Sequence, residues 1–102
     1  MPKFLVEVPH EPDTLACARV VKVFLESGSH FLTHAEWGCM DNVHSAWMVV
    51  EMDSKAEALA IVPPALRAGT RIVRLTHFRL DDIEDTIRRH QPSGGSSDTT
   101  RG

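Results

Sequence analysis

Two apolar periods alternate along this chain. "KFLVEVP", Lys3 to Pro9, places Phe4, Val6 and Val8 on one side and Leu5 and Glu7 on the other, as a half-buried strand does. "HEPD" follows as a turn, and Asp13 is a good N-cap. In "TLACARVVKVFLESG" the spacing changes: Cys17, Val20, Val21, Phe24 and Leu25 recur at helical intervals, with Gly28 placed to stop the helix. Two strand-like runs come next, His30 to Trp37 and Val43 to Met52. The "GCMDN" between them has turn composition, which predicts a hairpin. Ser54 and Glu57 match a capping box, and the helix they open must end near Pro63 and Pro64. Arg71 to Phe78 reads as a fourth strand. "LDDIEDTIRRH" is a last helix, with acids early and arginines late as the macrodipole favours. The tail, residues 91–102, has no apolar anchor and is expected to be disordered.

The predicted order is β-α-β-β-α-β plus a C-terminal helix, in one domain over residues 1–90. This is an α+β, ferredoxin-like pattern, a four-stranded antiparallel sheet with helices on one face. Alternation assigns Phe4, Val6, Val8, Phe31, Thr33, Ala35, Trp37, Ala46, Met48, Val50, Met52, Val73 and Leu75 to the covered face. The open face then holds Leu5, Glu7, His30, Leu32, His34, Glu36, Ser45, Trp47, Val49, Glu51, Ile72, Arg74 and Thr76. Its apolar members are too many to leave wet, which implies a partner. The expected partner is a second copy, joined through the open sheets as a homodimer with sites between them.

The strand-three-to-helix-two run "AWMVVEMDSKAEA" and the proline-broken "IVPPAL" carry a resemblance. Together with the order of elements, they resemble the dimeric α/β-barrel superfamily over roughly Lys3 to Phe78. Within it the chain is similar to muconolactone-isomerase-like proteins and to small ferredoxin-like proteins described as nickel-binding. The resemblance implies a dimeric α/β barrel. It does not fix a function, because the superfamily holds isomerases, monooxygenases, haem-degrading enzymes and pure binding modules.

Composition narrows the field. The 102 residues carry a formal net charge of −3, and the basic residues are scattered, so no stripe suits nucleic acid. No run reaches the length of a membrane span, and "MPKFLVEV" is unlike a signal peptide. Two cysteines are too few for a disulfide scaffold, and a reduced cytoplasmic setting is expected. There is no glycine-rich phosphate loop, nucleophile elbow or C-x-x-C pair.

Candidate chemistry gathers in "SHFLTHAEWGCMDNVHSAW", Ser29 to Trp47. As an enzyme or binding protein, His34 serves as general acid or base, with Glu36 or Glu7 orienting it or acting as a second base. Arg74 holds a carboxylate or stabilises an enolate-like charge, and Trp47 and Leu32 supply apolar walls. That set suits proton transfer on a small organic acid or lactone, as the isomerase resemblance implies. Arg74 could equally just neutralise Glu7 or Glu51 across the sheet. A second reading is a divalent transition-metal site for nickel, zinc or copper. His34 and Glu36 share a face, His44 joins them only if paired residue numbers across the hairpin add to an even total, and Cys39 could add a ligand. Apolar patterning favours an odd total, which moves His44 to the helix side beside Trp37. A third reading is a non-catalytic interaction module. His10 reads as a solvated loop residue, His77 as an edge residue, His90 as a helix cap and Cys17 as a buried core thiol.

Overall fold

The computed structural model describes residues 1–91; the expectation for the tail lies outside them, apart from Gln91. The architecture is α+β, with a four-stranded antiparallel open sheet of order β2-β3-β1-β4. Along the chain run β1 (Lys3–Pro9), α1 (Thr14–Glu26), α2 (His30–Thr33), β2 (Glu36–Trp37), β3 (Ser45–Glu51), α3 (Lys55–Ala60), β4 (Arg71–Leu75) and α4 (Leu80–His90). 3-10 segments at Cys39–Asp41 and Pro64–Gly69 bridge β2 to β3 and α3 to β4.

Local signals account for most of the boundaries. The Asp13 carboxylate accepts the Ala16 amide at 2.9 Å and opens α1. Gly28, at φ 75°, occupies the left-handed position just past its end. Ser54 Oγ accepts the Glu57 amide at 3.2 Å while Glu57 Oε1 accepts the Asp53 amide at 3.1 Å, a capping box whose return bond falls one residue before the N-cap. α4 carries Asp81 and Asp82 in its first turn and Arg88, Arg89 and His90 in its last, matching the macrodipole.

The central pair, β1 and β3, sets the core. Phe4 opposes Val50, Val6 opposes Met48 and Val8 opposes Ala46. All six are buried on one sheet face, where Phe24 of α1 and Ala58 of α3 close over them. The alternation predicted for these two strands holds without a slip.

Two expectations are corrected. The run from His30 to Trp37 is not one strand. Ser29 Oγ accepts the Leu32 amide and starts a helical turn, so His30–Thr33 is α2 and only Glu36–Trp37 joins the sheet. Leu32, expected on the open face, is therefore turned into the core and buried. The faces of β4 are also exchanged. Phe4 pairs with Arg74 and Val6 with Ile72, so those two lie on the helix side. Ile72 packs against the core, while Val73 and Leu75 fall to the open face beside Leu5 and Lys3. Edge position explains the exchange. β4 has a neighbour on one side only, so its register follows β1 rather than its own apolar count.

Phe24 is fully buried at the centre of this core, whereas Leu25, next to it in sequence, is 57% exposed. Phe24→Ala is expected to lower unfolding stability by about 3–5 kcal/mol in denaturant titration, and Leu25→Ala by less than about 1 kcal/mol. Equal losses would contradict the placement of α1.

Candidate metal centre

The core stripe of the sheet does not end at the last apolar residue. One step beyond Val8 on β1 is His10, and one step before Ala46 on β3 is His44. The His10 amide donates to the His44 carbonyl at 3.1 Å, which extends the β1–β3 ladder past Pro9 and Ser45. The even-numbered positions of both strands face the helices, so both imidazoles emerge on the helix side at one end of the sheet. Their ring centroids are 5.8 Å apart and nearly perpendicular.

Cys17 arrives from the first turns of α1, on the same helical face as Phe24, two turns away. Cys39 arrives from the 3-10 turn after β2. His10 Nε2 lies 3.2 Å from each sulfur, and the Cys17 thiol donates to the Cys39 sulfur at 3.1 Å. His10, Cys17, Cys39 and His44 each bring one ligating atom into a group whose members lie within 4.8 Å of one another, and all four residues are half-buried. Two nitrogens and two sulfurs are the donor set of tetrahedral zinc sites. In such a site the donor atoms stand about 3.5–3.8 Å apart, given bonds of about 2.0–2.3 Å. The His10–Cys17–Cys39 triangle is therefore tight, and has to open by roughly half an ångström to hold an ion.

A second partner orients one of the two imidazoles. Asn42 Oδ1 sits 3.3 Å from His44 Nε2 and, as an amide oxygen, can only accept. The proton is then on Nε2, which leaves a lone pair on His44 Nδ1, buried and without a hydrogen-bond partner. A buried orphan acceptor costs about 1–3 kcal/mol, and a bound cation would relieve that cost. Burial, then the facing His44, holds the His10 imidazole below its ordinary pKa. The Val8 carbonyl opposes this electrostatically, but Nδ1 of His10 makes no hydrogen bond. Burial raises the Cys39 thiol, as do its hydrogen bond to Cys17 and that neighbour's charge. At neutral pH the imidazole is thus ready to donate its lone pair, whereas capture of a cation must expel the Cys39 proton.

Trp37 walls the centre from the core. Its ring meets Phe24 edge-on at 4.9 Å and His10 at 5.7 Å. Gly38, between Trp37 and Cys39, allows the loop to approach this closely. A Cβ there would lie 2.7 Å from the Val43 carbonyl oxygen and 2.8 Å from the Trp47 ring. The Gly38 carbonyl accepts from both Asp41 and Val43, and Asn42 turns the chain at φ 62°. Beside the centre, a cavity of about 450 Å³ lies between His10, Glu11, Ala16, Val20 and Leu66.

The hairpin pairs Glu36 with Trp47 and Trp37 with Ala46, an odd total, so His44 lies on the helix side beside Trp37. Cys39 and His44 consequently come together with each other, and with His10 and Cys17. His34 and Glu36 are elsewhere: with Leu5, Trp47 and Val49 they line a pocket of about 220 Å³ against the open face. His34 Nδ1 contacts the His30 carbonyl at 2.8 Å, and the His30 and His34 rings stack at 4.3 Å. Arg74 is on the opposite face, and Glu7 pairs instead with Arg71 at 3.3 Å. His10 is not a solvated loop residue, and Cys17 is more than core filler. A scan against protein-family models and searches of curated proteins and solved structures each return no match. Among the described residues, no helix is long and apolar enough to cross a membrane.

Gly38→Ala is expected to destabilise the fold by about 1–3 kcal/mol, since the added methyl meets backbone on one side and an indole on the other. A red shift in tryptophan emission should accompany it as Trp47 is displaced. An unchanged midpoint and spectrum would show that the loop has room to spare.

Proposed function

We propose that this chain is a transition-metal-binding protein whose centre is His10, Cys17, Cys39 and His44. The observation that carries the reading is the convergence of two thiols and two imidazoles from four separate segments within 4.8 Å. Soft sulfur and borderline nitrogen donors favour zinc, nickel or copper over magnesium and calcium. Four protein ligands fill a tetrahedral shell, which suits a closed, structure-stabilising zinc site better than one with an open catalytic position. Two free thiols at one centre fit a reducing compartment such as the cytoplasm.

The same reading takes the domain as ferredoxin-like. The sheet order supports this: from the other edge it runs β4-β1-β3-β2, with both β-α-β crossovers packed on one face. It also takes the partner as a second copy meeting the open face. Val73 and Leu75, which take the place of Leu32 and Ile72 on that face, join Leu5, Trp47 and the 58%-exposed Val49 in an apolar patch. The acid/base enzyme reading has less behind it. The pocket at His34, Glu36 and Trp47 contains neither arginine nor lysine, so the carboxylate-holding cation it needs is missing.

The metal reading is tested on untagged protein by metal analysis and cobalt(II) titration. One ion per chain is expected, with sulfur-to-cobalt charge-transfer bands and the visible absorption of tetrahedral coordination. Cys17→Ser, Cys39→Ser and His44→Ala should each weaken binding by at least about 10–100-fold. Affinity should fall steadily as pH drops through neutrality, because thiol protons must be expelled, and more steeply below about 6, where protons also compete for imidazole. Spectra indifferent to both cysteine substitutions would remove the proposal. Self-association is tested separately by sedimentation: a dimer that Val49→Lys converts to monomer is expected, and a monomeric parent at high concentration would rule the second copy out.

A further inference from the structure

The Cys17–Cys39 gap has an intermediate size. At 3.1 Å the sulfurs are closer than the roughly 3.8 Å that separates two thiolates on one tetrahedral zinc. They are also about 1 Å further apart than the roughly 2.05 Å of a disulfide. A small movement of the 38–44 loop against α1 reaches either state, and the two states exclude each other because they use the same lone pairs. The loop is held by backbone hydrogen bonds around Gly38 and by the left-handed Asn42, and the two states ask of the sulfurs a closure of about 1 Å or an opening of about 0.7 Å.

We propose that Cys17 and Cys39 are a reversible dithiol–disulfide pair, oxidised by a hydroperoxide, and that forming the disulfide expels the metal. The release step rests on the metal reading above, whereas the cross-link itself does not. One sulfur attacks the outer oxygen of the hydroperoxide. The O–O bond breaks, the alkoxide takes a proton and leaves as an alcohol, and a sulfenic acid remains. The second sulfur attacks that sulfenic sulfur, the S–S bond forms, the S–O bond breaks, and hydroxide takes a proton and leaves as water. Two thiols and one hydroperoxide thus give one disulfide, one alcohol and one water. His10 Nε2, 3.2 Å from each sulfur, stands where those protons must pass. A disulfide sulfur no longer carries thiolate charge, and two imidazoles alone hold the ion far more weakly.

The test uses the full chain, zinc-loaded and zinc-free, treated with tert-butyl hydroperoxide. Zinc is followed with a chromogenic chelator, and the protein by intact mass and non-reducing peptide mapping. The expected result is one zinc released per disulfide formed, a Cys17–Cys39 linked peptide in both forms, and recovery of thiols and binding after dithiothreitol. In Cys39→Ser, Cys17 should instead stop at a sulfenic acid that dimedone traps. Oxidation only to sulfinic acids or to disulfides between chains would overturn the proposal, as would thiols that survive excess oxidant in the zinc-free form. If the chain takes up no zinc, the metal reading fails, and the zinc-free arm alone decides the disulfide.

Discussion

The register between β1 and β3 governs the rest of the structure. Once Val6 opposes Met48, Val8 must oppose Ala46, and the next pair on the same face is His10 with His44. A slip of β3 by one residue would turn its half of the core stripe, and His44 with it, to the face opposite His10. The forces that fix the register are apolar: six buried side chains on one face, covered by Phe24 and Ala58. At roughly 1.5–3 kcal/mol for each fully buried large side chain, they outweigh any preference the polar residues have. The position of the candidate metal centre is therefore a by-product of core packing, to which two sulfurs are delivered.

Those sulfurs come from elements with different security. Cys17 lies on a 13-residue helix capped at both ends. Cys39 lies on a three-residue 3-10 turn, kept in place by Gly38 and Asn42. A domain of this size has a thin core, and this turn adds no buried residue to it. A cation shared by helix, loop and both central strands would fasten the loop to the best-packed part of the fold, since binding energy at a site absent from the unfolded chain becomes folding energy. The same loop contributes Cys39 through a turn fixed by backbone hydrogen bonds rather than by buried side chains.

Much of this was legible in the sequence, and the failures have physical causes. β1, α1, α3 and α4 could be read because each combines clear periodicity with a cap or a charge bias. The segment from His30 to Thr33 could not. Its alternation satisfies a strand, and only the Ser29 side chain, capping the Leu32 amide, tips it into a helical turn. β4 misled because its own apolar count favours Val73 and Leu75, whereas pairing with β1 places Ile72 inward. The odd hairpin register, and with it His44 on the helix side, follows from the apolar pattern alone. His10 was missed because Pro9 looks like a stop. Continuing the alternation of Phe4, Val6 and Val8 by one step would have found it, and would have set it on the same side as Cys17 and His44. Cys39 has no such signal, since its position depends on a turn whose path the sequence does not specify.

The most direct test of the central claim is X-ray absorption at the metal edge of the zinc-loaded protein. Two sulfurs at about 2.3 Å and two imidazole nitrogens at about 2.0 Å are predicted, with one imidazole lost in His10→Ala. A shell of oxygen and nitrogen alone, with no sulfur scattering, would contradict the account. It would mean that the end of the β1–β3 ladder does not gather these four side chains around an ion.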